Sequence, residues 1–343
     1  MHDAPQHGPR PLPLFLDLLR SETAASPERR AAALAGLHAF QHAPREGRPG
    51  RAPVRFRAGR AQLHDYGGTG RPVVFVPSLI NPPVILDLAP HNSLLRWCSE
   101  QGVHPHLVDW GVPGPADRHL DVTGHIEQLL LPLINQFDKP PLLVGYCLGG
   151  TIALGAASAG ASAGVALIAA PWHFTGFGRG RADIAELWAS AKPACETMGL
   201  VPIELLQTGF WRLDPSRTIA KYEAFGRMDQ ASHTARDFVA LEDWANAGAP
   251  LPYAAGRQLF EDFVGADVPG SGQWLVAGKV VDPHSLPCPS VEFVSLSDRI
   301  VPKESAANLA DRRDLGAGHV GMVVGGRAQA QLWEPLAQWL KRA

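Results

Sequence analysis

The stretch LLVGYCLGGTIALGAA, residues 142–157, decides how this chain is read. An apolar run breaks at Gly145-Tyr146-Cys147-Leu148-Gly149 and continues as a string of small residues. Short apolar runs of this kind form strands buried on both faces of a parallel sheet. The residues from Leu148 onward have the spacing and composition of a helix. Between them the chain must turn sharply, with Cys147 at the turn. Gly145 and Gly149 flank it because side chains there would collide with the neighbouring strand and helix. Thr151, Ala153, Gly155, Ala156 and Ala157 then let the helix pack close to the sheet.

A strand, a Gly-x-nucleophile-x-Gly turn and a helix make up the nucleophile elbow of the α/β-hydrolase architecture. The neighbouring sequence has the matching alternation. PVVFVPS (72–78), VHPHLVDW (103–110), GVALIAAP (164–171) and PSVEFVSL (289–296) read as strands. Between and after them, 93–102, 121–137, about 303–310 and the closing RAQAQLWEPLAQWLKRA read as helices. The expected fold is therefore α/β, with a mostly parallel central sheet and helices on both faces. VRFRAGRAQLHDYG, with its internal turn, predicts an antiparallel pair at one sheet edge.

Three regions follow. Residues 1–52 form an N-terminal arm, partly helical or flexible, with Ser26 placed to cap a helix. Residues 53–171 and 286–343 form the core. Residues 172–285 interrupt the alternation with aromatic-rich helical segments carrying Trp172, Trp188, Trp211 and Trp244. An insertion there predicts a mainly helical cap over the C-terminal edge of the sheet, where open α/β sheets place their sites.

The 343 residues are 45% hydrophobic and 19% charged, which suits a globular chain with a substantial core. Lys+Arg 31 against Asp+Glu 33 leaves a net charge of -2, so no nucleic-acid partner is expected. Cys98, Cys147, Cys195 and Cys288 are too scattered for a disulfide framework or a paired zinc pattern. The histidines lack metal-ligand spacing, so neither a metal nor a bound cofactor is expected. No apolar run is long enough to span a bilayer, and the cytoplasm is the default compartment.

Cysteine in place of serine is chemically informative. The helix beginning at Leu148 favours the thiolate, and the Leu148 amide points where an oxyanion would form. An acyl group on sulfur remains an activated thioester. The second oxyanion donor is expected in the loop after 72–78, at Leu79 or Ile80. The acid and base should follow in that order. Asp298 comes just after the strand 289–296, and His319 lies in a Gly-rich loop ahead of the last helix, so the expected triad is Cys147, His319 and Asp298.

At these residues the chain resembles polyhydroxyalkanoate synthases, most closely the short-subunit kind that works with a second protein. PSLINPPVILDL, GVHPHLVDWGVP, GYCLGG, SDRIVP and GAGHVGMVVGGRAQ carry the resemblance in order, over roughly 55–341. It implies an acyltransferase in which Cys147 carries the growing chain and His319 is its base. Asp298 would orient His319 or help activate a 3-hydroxyl. It also implies a 3-hydroxyacyl-CoA substrate, with CoA entering as a thioester and not as a cofactor. The implied partners are a second copy of the chain, a second synthase subunit and the surface of a polymer granule. Two positions depart from the family: Asp298 is followed by Arg299 where it usually has His, and Asn81 is followed by Pro82-Pro83. Hydrolysis of a thioester or ester at the same residues is the alternative reading. A non-catalytic, granule-associated relative is the third, and a full Cys, His and Asp set argues against it.

Overall fold

The computed structural model describes residues 8–45 and 50–343; the first residues of the arm and 46–49 lie outside the described residues. Eight strands form the central sheet: β1 Val54–Ala58, β2 Ala61–Asp65, β3 Pro72–Val76, β4 His104–Asp109, β5 Leu142–Tyr146, β6 Gly164–Ile168, β7 Ser290–Ser295 and β8 Arg312–Leu315. Their order in space is β1-β2-β4-β3-β5-β6-β7-β8. The hairpin β1–β2 is antiparallel and joins β4 in antiparallel sense, and every other pairing is parallel. The expected edge hairpin and parallel core are both present.

Side-chain alternation divides the core into two layers. Val74, Val76, Leu143, Val165 and Leu167 face one layer, and Val73, Phe75, Leu142, Val144, Ala166 and Ile168 the other. A parallel sheet needs apolar residues on both faces, which is why these strands read as unbroken apolar runs. Helices cover both layers. The segment 122–134 and Leu148–Ser158 pack on the first, and Leu94–Glu100 and Glu334–Leu340 on the second.

A third core stands apart from the sheet. Helices α1 (Leu12–Glu22) and α2 (Pro27–His42) of the arm pack on α3 (Ile203–Arg212), α4 (Pro215–Phe225) and α5 (His233–Ala245). Phe15, Phe40, Tyr222 and Phe225 are fully buried there. Helices α2 and α4 cross closely, because a Cβ on Gly36 would lie 1.8 Å from the Tyr222 carbonyl oxygen. Arg29 pairs with Glu223 at 2.8 Å across this crossing, and Arg45, just past α2, pairs with Asp243 of α5 at 3.0 Å. Ser26 caps α2 by accepting from the Arg29 amide at 3.2 Å. The described part of the arm is thus a packed helical collar on the cap.

Three expectations change. The helix about 303–310 is a single turn, Lys303–Ser305. Beyond it the buried Glu292 carboxylate accepts from the Leu309 amide at 2.7 Å, and Asn308 takes a positive φ of 57°, so tertiary bonding overrides helix propensity. Strand β8 was not anticipated, because its Arg-Arg-Asp-Leu sequence is polar and half exposed, as a sheet edge allows. The insertion 172–285 also divides. Gly180–Met198 and the segment 253–276 pack on the first sheet layer through Trp188, Phe263 and Trp274, and only 203–245 stands over the elbow.

Candidate active site

Cys147 sits between β5 and the helix Leu148–Ser158 with φ 56° and ψ −134°. A non-glycine residue held at positive φ costs about 1–3 kcal/mol and persists only where its surroundings over-determine it. They do so here. The Cys147 amide donates to the Ile168 carbonyl on β6 at 2.9 Å, and its own carbonyl accepts from the Gly150 amide at 2.8 Å. A Cβ on Gly145 would lie 2.3 Å from Gly150 Cα, and one on Gly149 would lie 2.0 Å from the Val76 carbonyl oxygen. At both glycines, backbone contacts leave no room for a side chain. The Leu148 amide opens the helix ahead of its first turn, beside the Cys147 side chain.

His319 and Asp298 come from the loops after β8 and β7. Nδ1 of His319 donates to Asp298 Oδ2 at 2.6 Å. The other oxygen, Oδ1, accepts from the amides of Ile300 at 2.7 Å and Val301 at 2.9 Å. The Asp298 side chain is 0% exposed and that of His319 7%. With both oxygens occupied and no access to solvent, this carboxylate is built to hold an imidazole. The Tyr146 ring stacks on His319 at 5.1 Å, and its hydroxyl donates to the His319 carbonyl at 3.2 Å. Burial alone would lower the His319 pKa. The negative charges of Cys147 and Asp298, and hydrogen bonds to both, outweigh it and raise the pKa from 6.5 to about 10. With Nδ1 on Asp298, Nε2 is the nitrogen left for sulfur.

Cys147 and His319 line one cavity of about 200 Å³. Its floor is Pro77, Ser78, Tyr146, Cys147 and His319, and its roof is Gln207, Phe210 and Trp211 of α3 with Trp244 and Ala245 of α5. Trp244 ties the roof to the floor by donating from Nε1 to the Pro82 carbonyl at 2.9 Å. On the other side of His319 a wider, more polar cleft of about 850 Å³ is lined by Arg217, Lys221, Arg299 and Arg327. Arg299 spans its edge to pair with Asp214, at the start of α4.

The remaining expected site residues fall out differently. The Ile80 amide is engaged, donating to Ser78 Oγ at 3.2 Å, and Leu79 is buried in the core. Neither lines the cavity, whereas Ser78, immediately before them, does. Tyr146 and Gln207 were not singled out from sequence. Tyr146 was legible as the residue beside Cys147, but nothing in the periodicity of α3 marks Gln207. A further grouping of Asp65, His104 and His106 brings its ligand-type atoms within 4.8 Å at the far edge of the sheet. The oxygens of Asp65 are already bonded to Arg55 at 2.9 Å and the Gly67 amide at 2.8 Å, so the grouping is an ion-pair cluster tying β2 to β4.

Comparison with known proteins agrees with the fold. A model of the Alpha/beta hydrolase family matches residues 73–331. The Poly(3-hydroxyalkanoate) polymerase subunit PhaC of Haloferax mediterranei is 28% identical over 289 residues, covering 78% of this chain and 58% of that protein. The subunit of the same name from Allochromatium vinosum is 27% identical over 289 residues, covering 78% of this chain and 80% of that one. Among solved structures, the alpha/beta hydrolase GrgF from Penicillium sp. sh18 superposes with a TM-score of 0.52 at 20% identity, over 86% of this chain and 99% of that one. That likeness concerns the fold. With its sheet order, its elbow and the family match over most of its length, the chain belongs to the alpha/beta hydrolase family and resembles, within it, the polyhydroxyalkanoate polymerase subunits.

Proposed function

We propose that this chain transfers acyl groups through Cys147, building or extending a polyester from 3-hydroxyacyl-CoA thioesters. The observation that carries the reading is a cysteine, where hydrolases of this fold use serine, strained at the elbow of a roofed cavity that also holds His319. In the first step Sγ of Cys147 attacks the thioester carbonyl. The carbon–sulfur bond to CoA breaks, and the departing thiolate takes a proton from His319. In the second step His319 accepts the proton of a 3-hydroxyl on an incoming hydroxyacyl thioester. Its oxygen attacks the acyl group on Cys147, a carbon–oxygen bond forms and the carbon–sulfur bond breaks. The lengthened chain, now on the incoming CoA sulfur, returns to Cys147 by the first step.

Asp298 acts as the orienter of His319. Both its oxygens are engaged, which argues against direct contact with a hydroxyl. The Leu148 amide is the oxyanion donor we assign to the elbow, with the Ser78 segment facing it. The cleft lined by Arg217, Arg299 and Arg327 suits the phosphates of CoA, leaving the acyl chain for the inner cavity. We infer a cytoplasmic setting at the surface of a polymer granule, consistent with four free cysteines. Homodimerisation or a second synthase subunit would belong to that assembly.

Hydrolysis is the competing reading, and the open cleft beside His319 is the observation that favours it, since water can reach that side. Purified protein incubated with 3-hydroxybutyryl-CoA separates the two. Release of CoA with polymer supports acyl transfer, release without polymer supports hydrolysis, and no turnover of any thioester overturns both.

A further inference from the structure

Attack on a carbonyl by Cys147 puts a full charge on the carbonyl oxygen, and the Leu148 amide alone holds only part of it. A second donor has to come from the chain facing the elbow. Strand register says which residue that is. Val76 of β3 pairs with Gly145 of β5 in parallel sense, so two residues further along each chain Ser78 stands level with Cys147. The peptide from Pro77 to Ser78 lies against the first turn of the helix after Cys147, since a Cβ on Gly149 would be 2.7 Å from the Pro77 carbonyl carbon. Trp110 holds that peptide in place by donating from Nε1 to the Pro77 carbonyl at 3.1 Å. Ser78 lines the cavity with Cys147, and Leu79 and Ile80 do not. The Ile80 amide is already spent, because it donates to Ser78 Oγ at 3.2 Å. That bond occupies a lone pair of Oγ and leaves the hydroxyl its one proton to donate. Among the described residues the proton has no protein acceptor.

We infer that the Ser78 hydroxyl is the second oxyanion donor, opposite the Leu148 amide. The inference rests on the acyl chemistry proposed at Cys147 and adds a catalytic side chain to it. Hydrolases of this fold use a second main-chain amide at this place, from the loop after the corresponding strand. Here a side chain takes that position. When Sγ of Cys147 adds to the thioester carbonyl, the π pair moves onto oxygen, and Oγ–H of Ser78 and N–H of Leu148 donate to it. As the bond to the CoA sulfur breaks, the pair returns and the carbonyl forms again. Ser78 keeps its proton throughout, and the proton for the departing thiolate still comes from His319. The Ile80 amide, donating to Oγ from behind, polarises the hydroxyl and makes it the stronger donor.

The test sets two reactions of the same sulfur side by side. Acylation by 3-hydroxybutyryl-CoA, followed as single-turnover CoA release and as mass added to Cys147, passes through an oxyanion. Alkylation of Cys147 by iodoacetamide does not, and it reports on the thiolate, on His319 and on the integrity of the fold. Ser78→Ala should slow acylation by about 10²–10³-fold and leave the alkylation rate unchanged. Ser78→Thr, which keeps the hydroxyl, should recover most of the acylation rate. Equal losses of acylation and alkylation in Ser78→Ala overturn the assignment, because Ser78 would then be supporting the sulfur and not the oxyanion. Acylation in Ser78→Ala as fast as in the natural chain, or faster, also overturns it, because a main-chain amide, the freed one of Ile80 included, would then suffice. So does a Ser78→Thr chain that alkylates normally yet acylates no faster than Ser78→Ala. Failure of the natural chain to be acylated at Cys147 overturns the chemistry proposed for the site, and the Ser78 assignment falls with it.

Discussion

The elbow and the cap collar meet across one cavity but are built on different terms. At the elbow the turn itself is held by main-chain atoms. The contacts that forbid a side chain on Gly145 and Gly149 are to main-chain atoms, and Cys147 is pinned by main-chain bonds on both sides. The roof, by contrast, is carried by helices that share a third, helical core with the described part of the N-terminal arm. It also joins the sheet's own layers, through Ile203 and Leu206 on one side and Trp244 on the other, with ties such as Trp244 to Pro82 and Arg299 to Asp214. The lesson is a division of labour: Cys147, His319 and Asp298 stand on the sheet and the loops at its edge, and the opposite wall of the cavity stands on helices of the insertion.

The largest expected effect lies on the rigid side. Cys147→Ala should lower turnover by at least roughly a thousandfold, and Cys147→Ser should recover little of it, since serine lacks both the thiolate and the thioester intermediate. Alkylation followed by peptide mapping checks the assignment: labelling at another cysteine with activity preserved would falsify it.

Next comes the orienter. Asp298→Asn should lower kcat by about 10³–10⁴-fold while leaving the fold intact, because an amide favours the wrong imidazole tautomer. The pair also predicts a pH signature. The folded-state pKa of His319 is raised from 6.5 to about 10, so its contribution to stability is full below pH 6.5, declines as pH rises, and is gone above about 10. Urea titrations across that window should show this loss in the natural chain and a flatter profile in Asp298→Asn. Identical profiles would remove the charge coupling from the account.

On the other side of the comparison, Gly36→Ala should disturb the crossing of α2 and α4, where its Cβ would meet the Tyr222 carbonyl oxygen. Overpacking of this kind costs about 1–3 kcal/mol. The prediction is that limited proteolysis cuts 203–245 faster, and that CoA release shifts toward hydrolysis as the roof loosens. Cleavage within the sheet before the cap would show that the two units are not separable. The smallest effect is expected from Arg45→Ala, which removes the pair with Asp243 and the contact of the guanidinium with the Phe40 ring, 4.7 Å away. Its cost is about 1 kcal/mol, read as a modest fall in melting temperature with kcat unchanged.

The sequence by itself determined what depends on neighbours along the chain. The strand, turn and helix at 142–158 were readable because an elbow has to be assembled from consecutive residues, and small ones are the only kind that fit. The edge hairpin at 54–65 and the Ser26 cap were readable for the same reason. Asp298 and His319 were legible from the ends of predicted elements, although 21 residues separate them. What only the tertiary structure decided depends on meetings between distant segments. The arm packing on α4 joins residues nearly two hundred positions apart. The polar edge strand β8 is a strand only because β7 lies beside it, and the turn after Lys303–Ser305 ends where the Glu292 carboxylate claims an amide. Gln207 is the sharpest case. Its burial, its bond to Ala245 and its oxygen left without a partner are not properties of α3 alone. Local pattern encodes how the backbone turns, whereas the fate of a buried polar atom is settled only when the whole chain has closed around it.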